Sequence, residues 1–250
     1  MKLRLIRHAT LQLDYAGERW LIDPMFAPAG QFPSLTFGAS ASRNPLVPLP
    51  CAVDELLRCD VVAVTHTHFD HFDRFAAERL PKTLPIVCQP ADSGKMRRQG
   101  FQNVLTVPGR VRYGEVEVTR IRGRHGQGLL ASLMGASSGY VLQASGEPTT
   151  YIAGDTVGCA AAYTALEQFQ PGVVIVNSGA AQFNVGKAIV MDAGDVIEIC
   201  RRAPGASIVA VHMEAINHCH LTRRQLADAC HRAGVSAQVS IPQDGEWVAL

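Results

Sequence analysis

VTHTHFDHFD, residues Val64 to Asp73, sets three histidines and two aspartates in ten positions directly behind the run Asp60-Val-Val-Ala-Val64. Consecutive apolar residues bounded by polar ones read as a buried strand. Beyond it, His66, His68 and Asp70 recur at every second residue and His71 follows at once, so two donor sets can diverge from one tight loop toward adjacent ions. Imidazole and carboxylate together suit zinc-like divalent metals. The plainer reading is a polar turn with solvated histidines. Four potential ligands behind one buried strand favour metal.

The rest of the chain sets bounds on that chemistry. With 250 residues, 47% of them hydrophobic, residues 1–250 read as a single domain with a core that needs no ion merely to fold. A formal charge of +1 gives no basic field, which argues against nucleic acid or a membrane surface as partner and for a small-molecule substrate. The seven cysteines are scattered, without a C-x-x-C pair, which suits reduced thiols and a cytoplasmic location. The opening MKLRLIR reads as an alternating strand rather than a signal peptide, and no run is long enough to span a bilayer. Homo-oligomerisation is left open.

Strands are expected at Leu3–Ile6, Leu11–Tyr15 and Trp20–Ile22 as an antiparallel meander turning at Ala16-Gly17. The Pro-, Gly-, Ser- and Ala-rich stretch 24–50 reads as a long ordered loop, a pocket wall or lid. Helices are expected over Phe72–Leu80 and Ala91–Gln99 around a strand at Pro85–Cys88, followed by strands at Val104–Val107, Val116–Ile121, Gly139–Gln143 and Thr150–Ala153. The second half alternates: helix Ala160–Phe169, strand Val173–Val176, helix Ala193–Arg202 behind Asp192, strand Ile208–Val211, and helix Leu221–Arg232 with a Thr222/Gln225 capping box. No repeat or linker divides the chain, and the pattern predicts a layered α/β protein.

The motif Thr65-His66-Thr67-His68-Phe69-Asp70-His71 resembles the defining motif of the metallo-β-lactamase-fold hydrolase superfamily. Three later positions fit that resemblance: His125 in Arg-His-Gly, Asp155 in Tyr-Ile-Ala-Gly-Asp-Thr, and His212 closing Ile-Val-Ala-Val-His. His218 and His220 are rivals for the last place. The resemblance implies a four-layer αβ/βα sandwich and two divalent ions, Zn or Mn first in line. One ion would take His66, His68 and His125, the other Asp70, His71 and His212, with Asp155 bridging. The opening RHATLQLDYAGERWLIDPMF and the later VHMEAINHC look most like the ascorbate-phosphate lactonase group, which makes Asp23 a candidate acceptor for a ligand histidine's outer N–H. His8 either looks into the pocket or packs as an ordinary histidine.

Two ions sharing an aspartate can hold a hydroxide as nucleophile for a small ester or lactone, anionic ones included. A phosphodiesterase and a non-catalytic metal-dependent binding module are the alternatives. Asp70 is the candidate for handling the proton and His218 for reaching the leaving group. Arg120, Arg122 and Arg124 either meet an anionic group on the substrate or form a solvated strand face. Asn177 either donates into the pocket or simply makes a turn.

Overall fold

The computed structural model describes residues 1–35 and 42–250. Two seven-stranded sheets carry the architecture. In the first, β1 (Lys2–Arg7), β2 (Thr10–Tyr15) and β3 (Glu18–Ile22) form the expected antiparallel meander. Its hairpin turns on Ala16 and Gly17, both at positive φ (53° and 80°), the backbone that a two-residue type I′ turn requires. The sheet continues in parallel through β4 (Val61–Val64), β5 (Ile86–Cys88) and β6 (Val104–Thr106).

In the second sheet β7 (Arg110–Tyr113), β8 (Val116–Arg122), β9 (Ser138–Gln143) and β10 (Thr150–Ile152) are antiparallel. From β10 the sheet runs parallel through β11 (Val173–Asn177), β12 (Ser207–Val211) and β13 (Val239–Ser240). A last short strand, β14 (Trp247–Val248), returns to pair with β1 in the first sheet.

Strand periodicity builds the layers. On β4, Val61 and Ala63 face the core between the sheets while Val62 and Val64 face α1 (Val53–Leu56), α2 (Arg74–Arg79) and α3 (Pro90–Arg98). On β11, Val173 and Ile175 face inward while Val174 and Val176 meet α5 (Ala160–Phe169), α6 (Ala193–Arg202) and α7 (Arg223–Arg232). Helix, sheet, sheet, helix is the predicted sandwich, and strands covered on both faces explain the unbroken apolar runs. A further short helix, α4 (Gly128–Leu133), lies between β8 and β9 in the chain.

Several boundaries differ from expectation for local reasons. The helix expected over Phe72–Leu80 begins at Arg74, because the Asp73 carboxylate accepts the Ala76 N–H at 2.7 Å and acts as its N-cap. The helix expected from Leu221 begins at Arg223, with Thr222 as cap and the Thr222/Gln225 capping box formed. Strands β7, β13 and β14 were not expected: β7 is the edge sequence Arg-Val-Arg-Tyr, and the other two are two residues each. Among the described residues the expected loop 24–50 holds no strand, and the short α1 follows just beyond it; residues 36–41 of the loop lie outside the described residues. All seven cysteines are unpaired. Among the described residues, no helix is long and apolar enough to cross a membrane.

Direction decides where the site lies. Two antiparallel steps separate β1 from β3, so β1 runs the same way as β3, β4, β5 and β6. Likewise β8 runs with β10, β11 and β12. The residues just past the ends of all these strands therefore meet along one rim, where open α/β sheets present ligands.

Candidate metal centre

His8 follows β1, Asp23 follows β3, Thr65 to His71 follow β4, His125 follows β8, Asp155 follows β10, Asn177 ends β11 and His212 follows β12. All except Thr67, His68 and Phe69 are buried. Donor atoms of His66, His68 and His125 lie within 4.8 Å of one another; so do those of His8, Asp70, His71 and His212, and those of His66, His71 and Asp155. The seven residues expected as ligands are thus brought together, and His8 joins them.

Asp155 stands between the two groups and divides its oxygens. Oδ2 lies 3.8 Å from His66 Nε2 and 3.5 Å from His125 Nε2. Oδ1 lies 3.2 Å from His71 Nε2 and 3.4 Å from His212 Nε2, and it accepts a 2.7 Å hydrogen bond from the Asn177 side-chain amide. Asn177 therefore orients the carboxylate. The other carboxylate, Asp70, sits with Oδ2 3.7 Å from His212 Nε2 and 3.2 Å from His8 Nε2.

Outer hydrogen bonds set the imidazoles. His71 Nδ1 donates to Asp23 Oδ2 at 2.7 Å, and His125 Nδ1 donates to the Ile189 carbonyl at 2.8 Å. Each leaves Nε2 facing the cluster, the atom through which a ligand histidine binds. Thr65 braces the same corner: its N–H and hydroxyl donate to the two oxygens of Asp23, each at 2.7 Å, and its Oγ1 is 3.2 Å from His66 Nδ1. Cys219 Sγ lies 3.7 Å from His212 Nδ1. Asp23→Ala is expected to weaken metal binding by about 10- to 100-fold, measured by competition with a chromophoric chelator; unchanged affinity would show that Asp23 only ends a strand.

The electrostatics match a cation site. Burial pushes His66 well below the ordinary imidazole value and His212 down to about 3, which keeps their lone pairs free of protons. His71 behaves oppositely: burial would lower it, but Asp155, Asp23 and Asp70 outweigh burial and raise it well above its ordinary value. Burial would raise Asp155, yet His71, His212 and His125 outweigh burial and hold its carboxyl well below the usual range. Three carboxylates around one ring, with neutral imidazoles beside them, form a donor set that fits divalent metal rather than a packed polar core.

The open side of the cluster meets a cavity of about 210 Å³ lined by Leu35, Phe69, Met134, Phe183, Ile189 and His218, with His68, Asp70, His125 and Asp155 as its metal-facing wall. Of the histidines left undecided by sequence, His218 is buried in this wall, whereas His220 is exposed with Nε2 3.3 Å from the Gln182 carbonyl. The arginines lie elsewhere. Arg120 and Arg122 line a separate surface depression with Pro108 and Ala136, and Arg124 is exposed. The apolar lining residues were not picked out from the sequence, since isolated Leu, Phe and Met in loops carry no periodic signal.

The beta-lactamase superfamily domain model matches residues 18–213, which covers the motif and every later ligand position. The chain belongs to the beta-lactamase superfamily. Within it, the chain has the metallo-β-lactamase fold and stands among its metal-dependent hydrolases. It is 36% identical to the UPF0173 protein YddR of Bacillus subtilis over 98% of each chain. A UPF0173 metal-dependent hydrolase of Xanthobacter autotrophicus is 27% identical, with 84% of this chain and 82% of the relative covered. Among solved structures, the isothiocyanate hydrolase from Delia radicum gut bacteria superposes with a TM-score of 0.94 at 38% identity, covering 100% of this chain and 99% of its own.

Proposed function

We propose that the chain is a dinuclear metal-dependent hydrolase of small, uncharged electrophiles bearing an apolar group, with isothiocyanates as the first substrate class and carboxylic esters or lactones as the second. The observation that carries this reading is the cavity: beyond its metal-facing wall the lining is Leu, Phe, Met and Ile with His218, and among the described residues no Lys or Arg faces it. An anionic group at the apolar end of the cavity, away from the metal-facing wall, would be a buried charge without a partner, which is costly. The arginines considered for that role point to a different surface. Likeness to an isothiocyanate hydrolase of 38% identity supports the first class.

In this reading His66, His68 and His125 would hold one ion and Asp70, His71 and His212 the other, with Asp155 shared. Divalent ions bound there would supply an activated water at neutral pH and polarise the electrophile. The protein does the rest by position. Phe69, Phe183 and Met134 desolvate the substrate's apolar group and hold the reacting carbon over the wall formed by Asp70 and Asp155. For an isothiocyanate, the oxygen of water bonds to the central carbon and the carbon–nitrogen bond breaks. Both water protons finish on nitrogen, so the products are an amine and carbonyl sulfide. Asp70, which lines the cavity, is placed to receive the first proton. His218 is placed to pass it on: burial lowers its pKa to about 4, so the ring is neutral, and its Nδ1 has no hydrogen-bond partner.

The reading is tested with chelator-stripped protein reloaded with Zn²⁺ or Mn²⁺ and offered short alkyl and aryl isothiocyanates, neutral esters and lactones, their carboxylate- or phosphate-bearing counterparts, and phosphodiesters. Uncharged apolar substrates are expected to lead their anionic counterparts by at least about 10-fold in kcat/KM. A preference for the anionic compounds, or cleavage confined to phosphodiesters, would overturn it. Metal loading without turnover of any substrate would favour a binding module.

A further inference from the structure

Histidine 8 is built into the cluster more firmly than packing requires. It sits at the corner between β1 and β2 with φ at 61°, a left-handed backbone that is strained for a non-glycine residue. The strain turns the ring inward, where it is fully buried. Its Nε2 is 3.2 Å from Asp70 Oδ2, and its ring centroid is 3.6 Å from that of His212. Its carbonyl accepts the His212 N–H at 2.9 Å, which ties this corner to the end of β12. His212 itself has φ at 68°, so both strained residues serve the same spot. Among the described residues its other ring nitrogen, Nδ1, has no hydrogen-bond partner, so its polar contact runs through Nε2 toward Asp70.

We propose that His8 is a further ligand of the second ion, so that the two metal positions are unequal: three imidazoles at the first, and His8, Asp70, His71 and His212 at the second, with Asp155 common to both. This rests on the dinuclear reading above. Two donors that are each about 2.1 Å from one ion sit roughly 3–3.5 Å apart when adjacent in its coordination shell. The 3.2 Å between His8 Nε2 and Asp70 Oδ2 fits that spacing. An extra donor makes the second position the one with higher coordination number and denser charge. The first is left with fewer protein donors beside the substrate cavity, which His68 and His125 line.

The competing role is hydrogen bonding alone, with His8 donating to Asp70. The two roles separate on the stripped protein titrated with Co²⁺, read by visible absorption and calorimetry, for the wild type, His8→Phe and His8→Gln, with folding of each checked by circular dichroism. Phe keeps a ring against His212 but no donor; Gln keeps an N–H for Asp70 but no imidazole. The wild type is expected to bind two ions, the second with the weak visible band of a five-coordinate site. Both variants should keep the first ion, bind the second at least about 100-fold more weakly, and change that band. Recovery of second-ion affinity and spectrum in His8→Gln would overturn the inference in favour of hydrogen bonding. Two ions bound as in the wild type by His8→Phe would overturn it as well. A wild type that binds fewer than two ions removes both this inference and the dinuclear reading, whereas two ions without hydrolysis removes only the proposed activity.

Discussion

Asp155→Ala is expected to lower kcat/KM by at least about 10³-fold and to leave the protein with fewer than two bound ions. One carboxylate serves both halves of the cluster, with Oδ2 toward His66 and His125 and Oδ1 toward His71 and His212. Its removal takes a donor from each position and leaves His71 without one of the three carboxylates that raise its pKa. If metal supplies several kcal/mol of transition-state stabilisation, losing about 4 kcal/mol corresponds to roughly three orders of magnitude in rate. Steady-state kinetics and elemental analysis on the same preparation check both halves of the expectation. Full metal content with full activity would show that Asp155 only caps a strand. Asp155→Asn, which keeps the shape and one oxygen, should fall between.

Gly154→Ala is expected to cost about 3 kcal/mol or more, lowering Tm by roughly 6–12 °C, although it adds a single methyl group. Gly154 has φ at 63°, and a Cβ there would lie 2.6 Å from the Ser138 carbonyl oxygen and 3.2 Å from Thr65 Cβ. Neither neighbour is free to retreat. Ser138 opens β9, paired along β8, and Thr65 is pinned to Asp23 by two hydrogen bonds. Any backbone shift that relieves the contact moves Asp155, so metal affinity should fall with stability. Gly146→Ala is the control: its φ is 79° but nothing lies within 4 Å, so only the backbone term of about 1 kcal/mol applies. Equal Tm values for the two variants would refute the packing argument.

Much of this was legible because the fold places chemistry at strand ends. Val61–Val64 and Val173–Val176 are unbroken apolar runs since helices cover one face and the opposite sheet the other. The histidines and aspartates that terminate such runs could therefore be read directly as a cluster, and His66, His68, Asp70, His71, His125, Asp155 and His212 do converge. His8 was harder. It follows a strand of mixed charged and apolar residues in an antiparallel meander, and only the count of two antiparallel steps to β3 shows that its end lies on the same rim. The arginines were left open between two readings for a related reason: Arg120 and Arg122 share a strand with the approach to His125, but they line another depression. The cavity wall was least legible. Leu35, Phe69, Met134 and Phe183 come from separate loops, and tertiary packing alone makes them neighbours.

The most direct test of the account is a crystal structure of the protein reloaded with Mn²⁺ or Zn²⁺, with anomalous difference maps recorded on either side of the metal's absorption edge. The account predicts two peaks, one among His66, His68 and His125 and one among Asp70, His71 and His212, with Asp155 between them. A single peak, or peaks away from Asp155, would contradict it.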